Sequence, residues 1–319
     1  MKYFCNFELF NGTNYNMKVK KFTATSWRLL KQTYTEFDKD NAIKLSASLS
    51  YYTIFSLPPL LIIILSIFSF FFGRDAVTGR FFGQINGLVG NSAAIQIQET
   101  IKNIELSDSN TFAAIFGGIM LLIGASGVFA EIQSSINFIW GLKAKPNKGI
   151  MKFIKNRLMS FSMIASVGFL LMVSLMVNTV MDLINARLVL YFPDLTVYIF
   201  YVVNIIILFA TTTVLFATIF KTLPDGEIGW KDALIGSGFT SFFFMFGKFA
   251  IGFYLGSSSI ASIYGAAGSV IIILIWVYYS AIILYFGAEF TKVYAFEKGN
   301  KIIPNSYAVE IKTAVLEVK

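Results

Sequence analysis

Histidine is absent from this chain of 319 residues, and cysteine occurs once, as Cys5. The first absence excludes imidazole acid–base catalysis, His-ligated zinc and a histidine pH switch. The second excludes an internal disulfide or a cysteine metal cluster. Charge is scarce as well: only 14% of residues are Asp, Glu, Lys or Arg, against about 25% in a soluble domain. So few charges cannot cover the surface of a soluble protein of this length. No GxxxxGK[ST] phosphate loop is present, which excludes an ATPase motor, and no GxSxG or comparable nucleophile setting occurs. No cofactor and no metal are expected.

What is abundant is apolar: 56% of residues are hydrophobic and 17% aromatic, with a mean hydropathy of +0.67. A membrane-crossing helix needs roughly 20 largely apolar residues. Six stretches meet this: Ser50–Phe72, Phe112–Ala130, Ser160–Met181, Val197–Phe220, Ala233–Leu255 and Ser269–Thr291. The last two are separated by inference. The 40 charge-free residues between Lys248 and Glu289 would form a helix of about 60 Å, twice the hydrocarbon thickness. The turn falls in Gly256-Ser257-Ser258-Ser259 and Tyr264-Gly265-Ala266-Ala267-Gly268-Ser269. The expected fold is all-α, a polytopic bundle of six transmembrane helices over 50–291. It is flanked by a cytoplasmic N-terminal arm (1–49) and a cytoplasmic C-terminal tail (292–319), with one long external loop over 73–111.

Charge placement sets the orientation. The arm carries 8 Lys and Arg, the second loop 6, the fourth loop 2 and the tail 5, or 21 of the 26 on one side. The opposite loops carry 4, and Lys248 stands alone within a span. Positive residues favour the cytoplasm, so both termini are expected there. The net charge of +8 and the basic loop of Lys143, Lys145, Lys148, Lys152, Lys155 and Arg157 therefore point to anionic lipid headgroups rather than nucleic acid.

No signal peptide is expected, because the first 40 residues lack an apolar core with a cleavage site. Trp27, Leu30, Tyr34 and Phe37 fall on one helical face among Arg28, Lys31 and Lys39, giving an amphipathic helix that either lies at the lipid headgroups or packs on the cytoplasmic loops. Ala94, Ile97, Ile101 and Ile104 repeat with the same spacing and predict amphipathic helices in the external loop.

The run Leu49-Ser50-Tyr51-Tyr52-Thr53-Ile54-Phe55-Ser56-Leu57-Pro58-Pro59-Leu60 is followed by Asn137 with Trp140, then Leu223-Pro224-Asp225 with Trp230. The Tyr264-Gly265 turn and Trp276-Val277-Tyr278-Tyr279-Ser280, leading to Gly287-Ala288-Glu289, complete the series. In these pieces and their order, over about residues 25–295, the chain resembles the YihY/BrkB family of bacterial inner-membrane proteins. The resemblance implies six spans with cytoplasmic termini, and for some members a role as envelope transporters or exporters. An older label for the family, tRNA-processing ribonuclease BN, conflicts with the chemistry. Metal-dependent hydrolysis needs a metal-binding constellation to activate water, and no His or carboxylate cluster at ligand spacing supplies one.

Ionisable groups within spans are the candidates for function, since their burial in lipid costs several kcal/mol unless they are paired or hydrated. Lys248 lies 16 residues after Asp232, about 24 Å along its helix, where it either snorkels outward or faces an anionic substrate group in a hydrated cavity. Asp182 is its candidate partner. Glu131 and Glu289 lie about 28 and 30 Å from the outer ends of their spans, near the cytoplasmic interface. There they either line a proton path or anchor helix ends, Glu289 by pairing with Lys292 or a loop lysine. Asn137 and Tyr279 complete a candidate polar pathway. Pro58 and Pro59 remove two backbone donors and kink the first span, either gating a cavity or improving packing. Gly117, Gly118, Gly124, Gly127, Gly252 and Gly256 permit close helix approach, within a tight bundle or a homo-oligomer. The expected role is a transporter or exporter of an amphipathic or anionic envelope-related solute or lipid. The alternative is a non-transporting scaffold for envelope assembly.

Overall fold

The computed structural model describes residues 25–56, 111–145, 193–257 and 268–311, with the isolated positions 95 and 166. Helix α1 (25–39) leads through a tight turn into α2, helical over 42–56. The turn is made by Asn41 in the left-handed region at φ 52°, which Asn tolerates better than other side chains, and Asn41 N donates to Asp38 O at 3.0 Å. Helix α3 (Thr111–Ile139) precedes strand β1 (Leu142–Ala144). Helix α4 (Pro193–Thr222), strand β2 (Gly226–Glu227), α5 (Trp230–Ser257) and α6 (Gly268–Glu297) follow, and strands β3 (Ile303–Pro304) and β4 (Ala308–Glu310) close the described chain.

The fold is mostly helical. Among the described residues, three segments are long and apolar enough to cross a membrane: Val202–Thr222, Trp230–Tyr254 and Val270–Glu297. They correspond to the expected fourth, fifth and sixth spans, and α3 runs the length of the expected second. The expected third span, the external-loop helices and the first span beyond residue 56 lie outside the described residues. Helix α5 packs between α4 and α6.

The α5–α6 contact is built on a repeated pattern. Gly236 and Thr240 on α5, and Gly287 and Thr291 on α6, are both Gly-x-x-x-Thr. A Cβ on Gly236 would collide with the side chain of Thr291, and one on Gly287 with that of Thr240. Each threonine therefore sits on the bare backbone of the facing helix. Each hydroxyl also donates to the carbonyl four residues back on its own helix, Thr240 to Gly236 O at 2.7 Å and Thr291 to Gly287 O at 2.6 Å. Neither threonine hydroxyl is left unpaired, as apolar surroundings require.

One end of the bundle carries all the strands. Beyond α6 the chain reverses in a Schellman turn, with Gly299 at φ 77° and Asn300 N donating to Ala295 O at 2.9 Å. It then crosses the helix ends. β3 pairs antiparallel with β2 (Glu227↔Ile303), and β4 with β1 (Lys143↔Val309). These two small sheets are an addition to the all-α expectation. Hydrogen bonds from Asn305 N to Asp225 O and from Ile311 N to Gly141 O fasten the same strap. Beneath it lies the main core, including Ile136, Ile139, Phe220, Leu223, Tyr285 and Ala288.

Helix α1 packs on α6. Leu29 joins Phe290 and Val293, and Phe37 meets Phe286 edge-on at 5.5 Å. Its buried face is thus Leu29, Thr33 and Phe37, while Trp27 and Tyr34 are exposed. Of the two readings of the arm, packing holds for the face carrying Phe37. The outward Trp27, Lys31 and Tyr34 are a face apart from it.

Candidate functional site

Two polar centres lie at the strand-bearing end. The first is Asp225, fully buried in the turn between α4 and β2. Gln133 Nε2 donates to its Oδ1 and Asn137 Nδ2 to its Oδ2, both at 3.0 Å. Asn137 Oδ1 accepts from Asp225 N at 2.7 Å, so the asparagine amide is used at both ends. Gln133 and Asn137 stand one helical turn apart on α3, which brings both amides to the same side. Hydrogen bonds to an ionised acceptor are about twice as strong as neutral ones. Asp225 thereby ties α3, the α4–β2 turn and the C-terminal strap into one unit.

The second centre gathers three carboxylates around one ammonium. Lys292 Nζ lies 3.2 Å from Glu289 Oε2, 3.5 Å from Asp40 Oδ2 and 3.7 Å from Glu36 Oε2. It also donates to Ile139 O at 2.7 Å, satisfying a carbonyl left open at the end of α3. Glu36 and Asp40 are four residues apart on one side of α1, and Glu289 and Lys292 three apart on α6. The Glu289 side chain is fully buried, and those of Lys292, Asp40 and Glu36 are 14%, 19% and 27% exposed. Close by, Trp140 Nε1 donates to Ala288 O at 3.1 Å and Ser48 Oγ to Glu131 Oε1 at 2.6 Å.

The structure brings some of the residues marked in the sequence together and separates others. Glu289 joins Lys292, the pairing weighed for it above. Glu131 bonds Ser48 on α2, and Asn137 serves Asp225. Lys248 is half-buried in α5, one residue beyond Gly247, against which the Tyr279 ring packs. Asp182, Pro58 and Pro59 lie outside the described residues. Gly127 receives Ser56, whose Oγ would stand 2.8 Å from an added Cβ. A Cβ added at Gly252 would meet nothing within 4 Å among the described residues. Gly117, Gly118, Gly124 and Gly256 lie within α3 and α5. The glycines that do set a helix crossing, Gly236 and Gly287, were not marked.

Also unmarked were Asp225, Gln133, Lys292, Glu36 and Asp40 as members of a site. The Glu36/Asp40 and Gln133/Asn137 spacings were available signals, because residues four apart share a helix face. Among the described residues no group of His, Cys, Asp and Glu is arranged to hold a metal ion. Three carboxylates and one ammonium carry a formal charge of −2 when all are ionised. Such a centre can bind and release protons or attract a cationic group.

Comparison with known proteins agrees with the membrane-embedded architecture. The sequence model of a family described as virulence factor BrkB matches residues 33–307. A UPF0761 membrane protein of Saccharophagus degradans is 28% identical over 288 residues, covering 88% of this chain and 62% of its own length. One from Teredinibacter turnerae is 26% identical, covering 87% and 63%. One from Mannheimia succiniciproducens is 24% identical, covering 82% and 87%. The chain thus spans about three fifths of the length of the first two. No solved structure matches.

Proposed function

Because the chain belongs to the virulence factor BrkB family, we propose that it is a bacterial inner-membrane transporter, exporting an amphipathic or anionic envelope-related solute or lipid without hydrolysing ATP itself. The observation that carries this reading is the Glu36–Asp40–Glu289–Lys292 centre. Buried charge is a poor way to stabilise a bundle, since apolar packing of the same volume is often as good or better. Inside a membrane protein, ionisable groups mark pathways and relays. Lys248, about 24 Å along α5 from Asp232, is the cation that draws an anionic group inward. Asn137 binds Asp225 through both ends of its amide. The strand-bearing end faces the cytoplasm, following the charge bias of the loops.

Thiol labelling tests the reading. In a Cys5→Ser background, Lys248→Cys is exposed to a membrane-impermeant maleimide in intact cells and in inverted vesicles, with Ala144→Cys and Ser258→Cys as side markers. Labelling of position 248 from the cytoplasmic side is the expected result and requires a water path about 24 Å deep. Position 248 unlabelled from both sides, with both markers reacting, overturns the hydrated pathway.

One feature favours the second reading, a membrane scaffold. Phe242, Phe246, Phe249 and Phe253 line one exposed face of α5, and Gly252 beside them is open. A partner helix could approach closely there. On that reading Gly252→Leu abolishes co-purification of envelope partners and leaves position 248 dry.

A further inference from the structure

Oε1 of Glu289 is completely buried and receives no hydrogen bond, although its companion Oε2 is paired with Lys292. The Asp40 carboxyl meets the same Lys292 ammonium as Glu289, at 3.5 Å against 3.2 Å, so the two acids stand on either side of one cation. The two facts have one cause. Two ionised carboxylates offer only acceptors, so neither can satisfy the other. A single proton makes one of them a donor, supplies the missing bond to Glu289 and lowers the formal charge of the centre from −2 to −1. The geometry points to a proton-binding site between α1 and α6, in which the Asp40 and Glu289 carboxyls share one proton beside Lys292.

The surrounding groups fit this assignment. From α1, Glu36 faces the same ammonium at 3.7 Å, so Lys292 is divided among three acids and neutralises only one charge. From α3, Lys292 meets the Ile139 carbonyl, which also draws on its charge. Glu131, the acid of α3, is held by Ser48 and faces Tyr285. The shared proton keeps two like charges from facing each other beside a single ammonium. When that proton leaves, like charges meet across the α1–α6 contact, next to the left-handed Asn41 turn where α1 ends. Release of the proton therefore loosens α1 from α6. The inference deepens the transport reading by naming its coupling ion, and rests on that reading for this use alone; occupancy by a proton is tested without any transport.

The test uses the full chain in detergent micelles and dicyclohexylcarbodiimide, a reagent for protonated carboxyls in apolar surroundings. The carboxyl proton moves to one carbodiimide nitrogen, and the carboxyl oxygen adds to the central carbon. Acyl migration then gives a stable N-acylurea that mass spectrometry locates. The expected result is labelling of the peptide bearing Glu289 or of that bearing Asp40. It should fall about tenfold per unit of pH once the midpoint is passed. Asp40→Asn removes one negative charge, so the labelling of Glu289 shifts to lower pH. Glu289→Gln, a neutral isostere of the protonated acid, keeps the Tm near the parent value. The site is overturned if both peptides stay unlabelled at every pH, or if Glu289→Gln melts far below the parent. A low melting point means that the buried carboxyl is ionised and paired with Lys292.

Discussion

Asp225 and Glu289 are both fully buried carboxylates at the strand-bearing end, yet their surroundings differ in kind. Asp225 is held by two neutral side-chain amides, one on each oxygen, and its backbone is tied to Asn137 and to the C-terminal strap. Glu289 has one oxygen on a lysine that two other acids also approach, and one oxygen with no donor. A saturated carboxylate gives rigidity, because every change of protonation or position breaks a bond. An unsaturated one among like charges has a second state within reach. The difference separates a structural clamp from a group able to switch.

Removing the clamp should have the largest effect. Asp225→Ala strands the amides of Gln133 and Asn137, each costing about 1–3 kcal/mol, and loosens the strap. Thermal unfolding in detergent should show a total loss of about 4 kcal/mol. Next comes Lys292→Met, which leaves three carboxylates without their ammonium and the Ile139 carbonyl without its donor. The expected loss is about 3 kcal/mol at neutral pH. It shrinks as pH falls, since protonated acids need no counter-charge; a pH-independent loss would mean that the centre does not titrate.

The frame that holds the centre can be varied separately. Gly236→Ala drives a Cβ into Thr291, two residues from Glu289, and should cost about 2 kcal/mol by forcing α5 and α6 apart. Gly252→Ala meets nothing and should be neutral, or stabilising by up to about 1 kcal/mol through helix propensity. Equal effects at the two glycines would contradict the Gly–Thr interlock. The smallest change is expected from Glu289→Gln, below about 1 kcal/mol, because the neutral amide replaces a neutral acid. A loss as large as that of Asp225→Ala would erase the contrast between the two carboxylates.

Much of this was legible in the residues. The fourth, fifth and sixth spans follow from apolar length, and the fold-back between α5 and α6 from a charge-free run too long for one crossing. Glu289 was placed near a span end, with Lys292 as one partner, by counting residues along a helix. The glycine assignments show the limit of that method. Gly252 and Gly236 are equally bare in sequence, but only Gly236 faces a neighbour, because the facing threonine is supplied by a helix some fifty residues away. Asn137 stood out as a candidate for a polar pathway, and its partner Asp225 lies 88 residues further on.

The sequence by itself determined the solvent and the local elements. Scarce charge and long apolar runs demand a bilayer, and every backbone group in a bilayer must be paired within a helix. That argument needs composition and length only. The tertiary structure decided which polar groups meet, because such contacts depend on helix rotation and crossing, to which composition is blind. Gly236 and Gly287 bring α5 and α6 close, and α1 lies against α6 so that Glu36 and Asp40 reach Lys292. Three acids from two distant parts of the chain thus share a single ammonium.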